Sequence, residues 1–359
     1  MKLLMVYNFV DEEQHVTAPN FYRECAEKVF PAEGIETDLL PDLRGAFLFK
    51  LLLSLRLRDD RVMMIVVFWW LLRHGRQYDV IVGWLTNGML AALLKHLPGW
   101  SRVAVCLILY KLPKSDGRGP KGMIKRRLLG LVSSGADLLL ALDLLQSIEF
   151  GKKLGRTLGT TLPLRYGVHA NWYAEQSITA NTTPTVSIFV PGGACRDDGT
   201  VEKAVQDLDV CLKRFQVHPD KDRKAEKSEL GRAIILKRFN APYDDYMSEC
   251  VSSDIVVISV ENGDKPVGLT SLLECMALGR PVIMTNGMSS SDYVVDGETA
   301  LLFNEGDWQG LRDKIQFLLD NPAKAQELGR AAKNMANTGL GLQSCGVDFA
   351  RMLQSLRSE

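Results

Sequence analysis

The stretch KPVGLTSLLECMALGRPVI, residues 265–283, combines an apolar pattern with three polar side chains that follow a glycine. If a helix begins at about Thr270, residues three and four apart share a face, and Thr270, Ser271 and Glu274 form one polar stripe. The other side then carries residues suited to burial, namely Leu272, Leu273, Met276 and Ala277. Free N–H groups and the macrodipole at a helix N-terminus favour a bound anion. The pattern predicts an anion site and leaves a structural alternative open, in which a hydroxyl caps the helix and the glutamate suits the dipole.

Strand-like apolar runs alternate with helix-length segments along the chain, which is typical of parallel sheets covered on both faces. The polar, turn-rich segment GVHANWYAEQSITANTTPT, residues 167–185, interrupts the pattern, which then restarts. The second set of predicted strands is VSIFVPGG, RAIILKRF, DIVVISV, RPVIMTN and TALLF, with helices near 200–214, 243–251, 270–278 and 307–319. The charged run VHPDKDRKAEKSELGR is predicted to be an exposed loop.

The sequence therefore predicts two doubly wound α/β domains with mostly parallel sheets. We place the first at residues 1–168, a hinge or linker at 169–183 and the second at 184–335, with 336–359 a helix returning to the first. Ligands of open parallel sheets bind beyond the carboxyl ends of the strands. The polar stripe follows the strand DIVVISV at such an end.

Composition bounds the class of protein. The 359 residues exceed one typical core, and 46% apolar with 24% charged residues is ordinary for a globular protein. Seven scattered cysteines without a CxxC pair argue against a disulfide framework or zinc site and favour a reducing compartment. We identify no signal peptide, and the longest apolar run, VMMIVVFWWLL, has 11 residues, too few to span a bilayer.

The net charge of zero conceals an asymmetry. Residues 44–165 hold 20 Lys and Arg against 7 Asp and Glu, whereas residues 1–43 and 166–359 are both acidic. Such an uneven distribution of charge bears on the binding partners of the protein and not on its fold.

The segment PVGLTSLLECMALGRPVIMTNGMSSSDYVVDGETALLFNEGD resembles the donor-binding half of the retaining glycosyltransferases of the GT-B fold, in the large family four group. LPLRYGVHANWY is similar to the hinge of that family, SIFVPGGACRDDGTVEKAV to its first donor-domain strand, glycine turn and helix, and NAPYDDYMSECVSSDIVVISV to the helix and strand before the signature. The resemblance in sequence is continuous over about residues 165–330. Before residue 165 only the alternation of predicted strands and helices is similar. The resemblance implies two Rossmann-like domains that face each other across a cleft, the first for the acceptor and the second for the nucleotide-sugar donor.

The resemblance also implies roles for individual residues. Glu274 would accept hydrogen bonds from the ribose diol. The backbone near Gly268 and Leu269, with Thr270 and Ser271, would meet the sugar hydroxyls and the diphosphate. Positive charge for the diphosphate would come from Arg196, after the Gly192–Gly193 turn, and from Lys237 or Arg238 as a second cation. Such cations and a helix terminus can replace a metal ion, so we expect no metal and no cofactor.

The chain departs from the family pattern at several positions. Pro266 stands where the signature has its first glutamate, with Glu261 or Asp264 as possible substitutes. Asp198 stands where the family usually has lysine, and His169 where the hinge usually has aspartate. The glycine-rich turn after the first strand of the chain is replaced by VDEEQHVTAP.

Acceptor-side candidates lie after strands of the first domain. Thr86 and Asn87, followed by Gly88, open a helix and either bind an acceptor or cap the helix. Lys111 lies in the loop YKLPKSDG, whose alternative role is that of a solvated loop.

Basic residues beside large apolar ones suit an anionic membrane surface. In RGAFLFKLLLSLRLRDDRVMMIVVFWWLLRHGR such residues are Lys50, Arg58 and Arg61, and in KGMIKRRLLGLV they are Lys125, Arg126 and Arg127. The alternative is that 62–72 is a core helix with a solvated basic edge. Nucleic acid is not an expected partner, because no recognition motif accompanies the basic half.

We therefore predict a cytoplasmic, metal-independent retaining glycosyltransferase peripheral to the inner face of a membrane. It would move a sugar from a nucleotide-diphosphate sugar to a lipid-linked or polysaccharide acceptor in glycan biosynthesis. Two alternatives stay open: a non-catalytic nucleotide-sugar-binding or scaffold subunit, and a nucleotide-sugar epimerase on the same fold.

Overall fold

The computed structural model describes residues 1–6, 19–54, 59–109, 119–156, 158–176, 185–192, 195–216, 220, 222–261 and 266–357. These residues divide into two compact units. The first domain takes the described residues of Met1–Gln14, Tyr22–Arg165 and Gly346–Glu359, and the second those of His15–Phe21 and Tyr166–Cys345.

The first domain has a six-stranded parallel sheet with the order β2-β1-β3-β4-β5-β6. Its strands are β1 (Lys2–Val6), β2 (Glu36–Leu39), β3 (Val80–Trp84), β4 (Ala104–Leu109), β5 (Leu138–Ala141) and β6 (Thr161–Pro163). Every residue of β4 and β5 is buried, as expected for parallel strands covered on both faces. The runs of aliphatic residues that predicted these strands are therefore the core of the domain.

Helices cover that sheet. They are α1 (Phe21–Glu24), which continues as a π-helical turn (Cys25–Val29), α2 (Phe47–Ser54), α3 (Asp59–His74), α4 (Leu85–Leu94), α5 (Pro120–Gly135) and α6 (Leu144–Leu154). The last helix of the chain, α14 (Leu342–Ser355), contributes Phe349, whose ring lies 5.3 Å from that of Phe30. Among the described helices none combines the length and the hydrophobicity needed to cross a bilayer.

The second domain has a seven-stranded sheet with the order β13-β12-β11-β7-β8-β10-β9. Its strands are β7 (Val186–Val190), β8 (Val210–Gln216), β9 (Glu226–Leu230), β10 (Ala233–Phe239), β11 (Ile255–Ile258), β12 (Val282–Thr285) and β13 (Leu301–Phe303). All neighbours are parallel except β9, which pairs antiparallel with β10 at the edge. Its helices are α7 (Ala170–Ala174), α8 (Asp198–Val205), α9 (Tyr243–Ser252), α10 (Leu269–Ala277), α11 (Met288–Ser291), α12 (Trp308–Asp320) and α13 (Pro322–Asn337).

Two secondary-structure predictions are wrong in this domain. The predicted helix near 200–214 ends at Val205, and β8 follows it as a central strand. Lys213 and Arg214 interrupt the apolar pattern of β8, which is why the strand was missed. The charged run predicted to be a loop contains β9, because an edge strand tolerates polar side chains on both faces.

The predicted hinge contains an ordered helix. Its residue His169 is the N-cap of α7, and its Nδ1 accepts a hydrogen bond from the Trp172 backbone N–H at 3.1 Å. An aspartate commonly caps helices in this way, so the histidine replaces that carboxylate with another acceptor.

Candidate functional site

The second sheet reverses its winding direction between β7 and β11. From β7 the chain proceeds to β8 and β10 on one side, and then returns to place β11 on the other side of β7. Ile255 of β11 pairs with Ile188 of β7, so both strands end at the same edge. The crevice beyond that edge is where doubly wound sheets bind ligands.

Arg196 lies between the two glycines that follow these strands. A methyl group at Gly192 would collide with Arg196 Nη2, and one at Gly268 would lie 3.4 Å from Nη1. Both glycines have positive φ, 78° and 83°, which other residues adopt at a cost. The Arg196 Nε donates to the Pro191 carbonyl at 2.8 Å. Both glycines therefore provide turns, and the missing side chain of Gly192 provides space for the guanidinium.

Burial lowers the pKa of Arg196 to about 10, and the like charge of Arg214 adds to this effect. A guanidinium that is partly withdrawn from water favours an opposite charge brought by a ligand. An anion placed beside Arg196 would therefore stabilise the charged guanidinium.

The helix α10 directs its N-terminus at the same place. It begins at Leu269, and its N-cap is Gly268, which offers no side-chain acceptor to the first-turn N–H groups. Ser271 is buried, and its Oγ lies 3.3 Å from where a Gly192 methyl would be. Thr270 is exposed. Ser271 therefore borders the Gly192 turn with Arg196, while Leu272, Leu273, Met276 and Ala277 anchor the helix in the core.

Glu274, on the next turn of α10, is held by three phenols. Its Oε1 accepts from Tyr243 at 3.0 Å and from Tyr173 at 3.4 Å, and its Oε2 accepts from Tyr246 at 2.6 Å. The two hydroxyls on Oε1 lie 3.4 Å apart. Two adjacent phenol hydroxyls therefore share one carboxylate oxygen.

The tyrosines were missed by sequence reasoning. Tyr243 and Tyr246 are three apart in α9, a spacing that puts both on one face, and this signal could have found them. Their rings stack at 5.5 Å, and Tyr246 also packs on Phe189 of β7 at 5.5 Å. Burial, and then the charge of Glu274, raises the pKa of all three phenols, so they remain neutral donors.

Burial raises the pKa of Glu274 above its ordinary value of 4.5, although the three phenol hydrogen bonds oppose the shift. Between the ordinary and the raised pKa the folded protein holds more protons than the unfolded chain. The raised pKa of Glu274 therefore adds to the free energy of unfolding. This addition is complete below pH 4.5 and is lost as the pH rises through the raised pKa. We expect the free energy of unfolding of the wild type, relative to Glu274→Gln, to fall over this range in denaturant titrations. A difference that is independent of pH would contradict the shift.

The remaining described donor-side candidates take part in ion pairs with acidic side chains. Lys237 forms an ion pair with Glu202 of α8 at 2.7 Å, and Arg238 one with Asp245 at 3.4 Å. Gly193 lies outside the described residues. Within the described part of the chain, no group of three or more His, Cys, Asp or Glu is arranged to hold a metal ion.

On the acceptor side, the capping alternative for Thr86 and Asn87 is wrong. The helix α4 begins at Leu85, so both residues lie inside its first turn, and the N-cap is Trp84, which makes no side-chain cap. The strand can run directly into the helix because Gly83 and Gly88 have no side chains. A Cβ at either position would collide with the backbone of the other glycine. Lys111 lies outside the described residues, as does the side chain of Thr86.

The described membrane-docking candidates fall on three helices. Lys50 is exposed on α2 and Arg61 on α3, while Arg58 is not among the described residues. On α3, Val62, Val66, Val67 and Leu71 are buried, as in the core alternative. The helix α5 exposes Lys125, Arg126 and Arg127 together with Met123, Ile124, Leu128 and Leu131, and α2 likewise exposes Phe47 and Leu51 beside Lys50.

Comparison with known proteins agrees with this geometry. The sequence model of the family described as glycosyl transferases group 1 matches residues 220–335. This match lies within the second domain, and the two parallel-sheet α/β domains of the chain are those of the GT-B fold. Of its relatives, the capsular polysaccharide biosynthesis glycosyltransferase CapM of Staphylococcus aureus is 26% identical over 87 residues, which is 24% of this chain and 23% of CapM.

Two solved structures show the likeness of fold over nearly the whole chain. Sucrose-phosphate synthase from Thermosynechococcus elongatus has a TM-score of 0.70 at 14% identity, covering 100% of this chain and 99% of its own. HepE of Anabaena, solved with UDP, has a TM-score of 0.68 at 16% identity, covering 99% and 100%. HepE has also been solved with UDP-glucose.

Proposed function

We propose that this protein transfers a sugar from a nucleotide-diphosphate sugar with retention of configuration and without a metal ion. The observation that carries the proposal is the meeting of the Arg196 guanidinium, the Gly192 turn and the N-terminus of α10 at the switch point. A diphosphate fits such a place, because a cation and the first-turn N–H groups of a helix converge where glycines permit close approach.

The chemistry follows from where charge develops. As the bond between the anomeric carbon and the β-phosphate oxygen breaks, the leaving nucleoside diphosphate gains negative charge. Arg196 and the helix terminus stabilise that charge, as a metal ion does elsewhere. The acceptor hydroxyl bonds to the anomeric carbon on the same face of the sugar, and its proton passes to the departing phosphate oxygen.

Glu274 is proposed to receive the ribose diol after Tyr173 and Tyr243 move from Oε1. The hydrogen bonds of Tyr173, at 3.4 Å, and of Tyr243, at 3.0 Å, are longer and weaker than the 2.6 Å bond of Tyr246. Tyr246 would stay in place and orient the carboxylate. UDP-glucose is the first donor to test, because HepE has been solved with it.

Turnover is measured as release of nucleoside diphosphate from UDP-glucose, GDP-mannose, dTDP-glucose and ADP-glucose, with water as acceptor and with EDTA present. We expect one donor to be hydrolysed slowly, and the first-formed sugar to be the α-anomer by proton NMR. The β-anomer first, or inactivation by EDTA, would contradict the proposed mechanism. Binding without turnover of any donor would favour the non-catalytic alternative.

For the acceptor, we propose a lipid-linked or polysaccharide chain reached at the inner, cytoplasmic face of a membrane. CapM is named for capsular polysaccharide biosynthesis, which supports a glycan acceptor. The outer face of α5 supports the membrane, because it exposes Ile124 by 64% and Leu128 by 48% beside basic residues, and the helix carries no acidic residue. Apolar side chains flanked by Lys and Arg suit the headgroup region of anionic lipids.

The double change Ile124→Glu and Leu128→Glu is expected to weaken binding to phosphatidylglycerol vesicles at low salt by about tenfold or more, because it removes apolar area and adds repulsion. Co-sedimentation measures the effect. Phe317→Glu is the matched control, since Phe317 is an apolar residue of α12 exposed by 43% in the other domain. Equal binding by the wild type and the double variant would refute docking through α5.

A further inference from the structure

Arg214 is a charged residue in the interior of the second sheet. It lies on β8, the neighbour of β7, and is only 3% exposed. Its Nε donates to Asp198 Oδ1 at 2.6 Å, and its Nη1 donates to the carbonyls of Val190 at 3.3 Å and of Gly192 and Phe215. A cation so deeply buried requires this degree of pairing to be tolerated.

Arg214 and Arg196 together hold three successive carbonyls at the end of β7. Arg214 takes those of Val190 and Gly192, and Arg196 takes that of Pro191 at 2.8 Å. Carbonyl oxygens at an anion-binding turn would repel the anion if left unpaired. With each bound to a guanidinium, the turn is fixed and its surroundings are positive.

Asp198 is not a free negative charge in this cluster. Its Oδ1 is bound by Arg214 and its Oδ2 by the Gln216 amide at 2.6 Å. It is the first residue of α8, where a carboxylate also suits the helix dipole. Asp198 therefore anchors the buried arginine at the position where the resembled family has a lysine.

We propose that Arg214, anchored by Asp198 and Gln216, is a positioning residue for the diphosphate of the donor. The positive charge beside the Gly192 turn comes from Arg214 on β8, whereas the resembled family has a lysine at the start of α8. Asp198 stands at the position of that lysine and pairs with Arg214. The inference rests on the proposed nucleotide-sugar function. Arg214 acts through the turn and through Arg196, and it does so without contacting the ligand.

The test compares dissociation constants for UDP, UMP, uridine and inorganic pyrophosphate, measured by isothermal titration calorimetry. The variants are Arg214→Met, Asp198→Asn and the double variant Asp198→Lys with Arg214→Met, which moves the cation from the strand to the helix. We expect Arg214→Met to weaken UDP and pyrophosphate by about tenfold and uridine hardly at all. Asp198→Asn should weaken UDP by about threefold, since an unanchored Arg214 still carries its charge. The double variant should recover most of the affinity lost in Arg214→Met.

Several outcomes would overturn the inference. Equal loss for UDP and uridine would mean that Arg214 only supports the fold, and so would a folded double variant no better than Arg214→Met. If Arg214→Met does not fold, Asp198→Asn and Arg214→Lys decide: a selective loss of UDP and pyrophosphate supports the inference, and unchanged affinity overturns it. A wild type that binds neither UDP nor pyrophosphate would instead remove the proposed function itself.

Discussion

Glu274→Ala is expected to lower the free energy of unfolding by about 2–4 kcal/mol, because three buried or half-buried phenols lose their shared acceptor. It is also expected to remove the stabilisation that a bound nucleotide gives, since the ribose loses its carboxylate. Both effects are measured in one experiment, chemical denaturation with and without UDP.

The matched variant for this test is Glu274→Gln, which keeps one oxygen for Tyr173 and Tyr243 and changes little in volume. It should retain most of the stability and lose part of the nucleotide effect, because hydrogen bonds to a neutral amide oxygen are weaker than the charge-assisted bonds to a carboxylate. If Glu274→Ala were as stable as the wild type, the phenols would not depend on this carboxylate. If it bound UDP normally, the ribose assignment would be wrong.

Arg196→Met should weaken the binding of UDP by about 10- to 100-fold, as expected for loss of a hydrogen-bonded ion pair worth about 1.5–3 kcal/mol. Methionine preserves most of the packing between Gly192 and Gly268 while removing the charge. Uridine should bind both proteins equally, because the change concerns only the phosphates. Calorimetric titration of both ligands gives the comparison.

Arg238→Met is the control for charge alone. Arg238 is the alternative second cation, and its exposed pair with Asp245 is long, at 3.4 Å. Surface pairs of this kind contribute little, so UDP affinity should stay within about twofold of the wild type. An equal loss in both variants would indicate a long-range effect of net charge and would count against Arg196 as the phosphate ligand.

The fold could be predicted from the sequence wherever the residues of one segment alone indicate that the segment is buried. The runs that became β4, β5, β7, β11 and β12 are almost wholly apolar and short, as expected for strands covered on both faces. The strand β8 could not be found in this way, because Arg214 is made compatible with the interior by Asp198 and Gln216, which precede and follow it. Its burial depends on partners and leaves no local signal.

The candidate site also has a part that local sequence predicts and a part that depends on distant residues. Gly268, Ser271 and Glu274 lie on one short segment whose spacing and family resemblance could be recognised. Tyr173 and Tyr243 reach Glu274 from α7 and α9, 101 and 31 residues away. No periodicity connects positions that meet only when the sheet and its helices assemble, so these contacts had to come from the structure.

The most direct test of the donor site is thermal unfolding of the wild type with UDP, GDP, dTDP and ADP, beside Arg196→Met. We expect one nucleotide to raise the midpoint, by an amount equivalent to about 2.7 kcal/mol at about 100 times its dissociation constant, and to do so far less in the variant. No shift with any of the four nucleotides would contradict a nucleotide-diphosphate site at the end of β7.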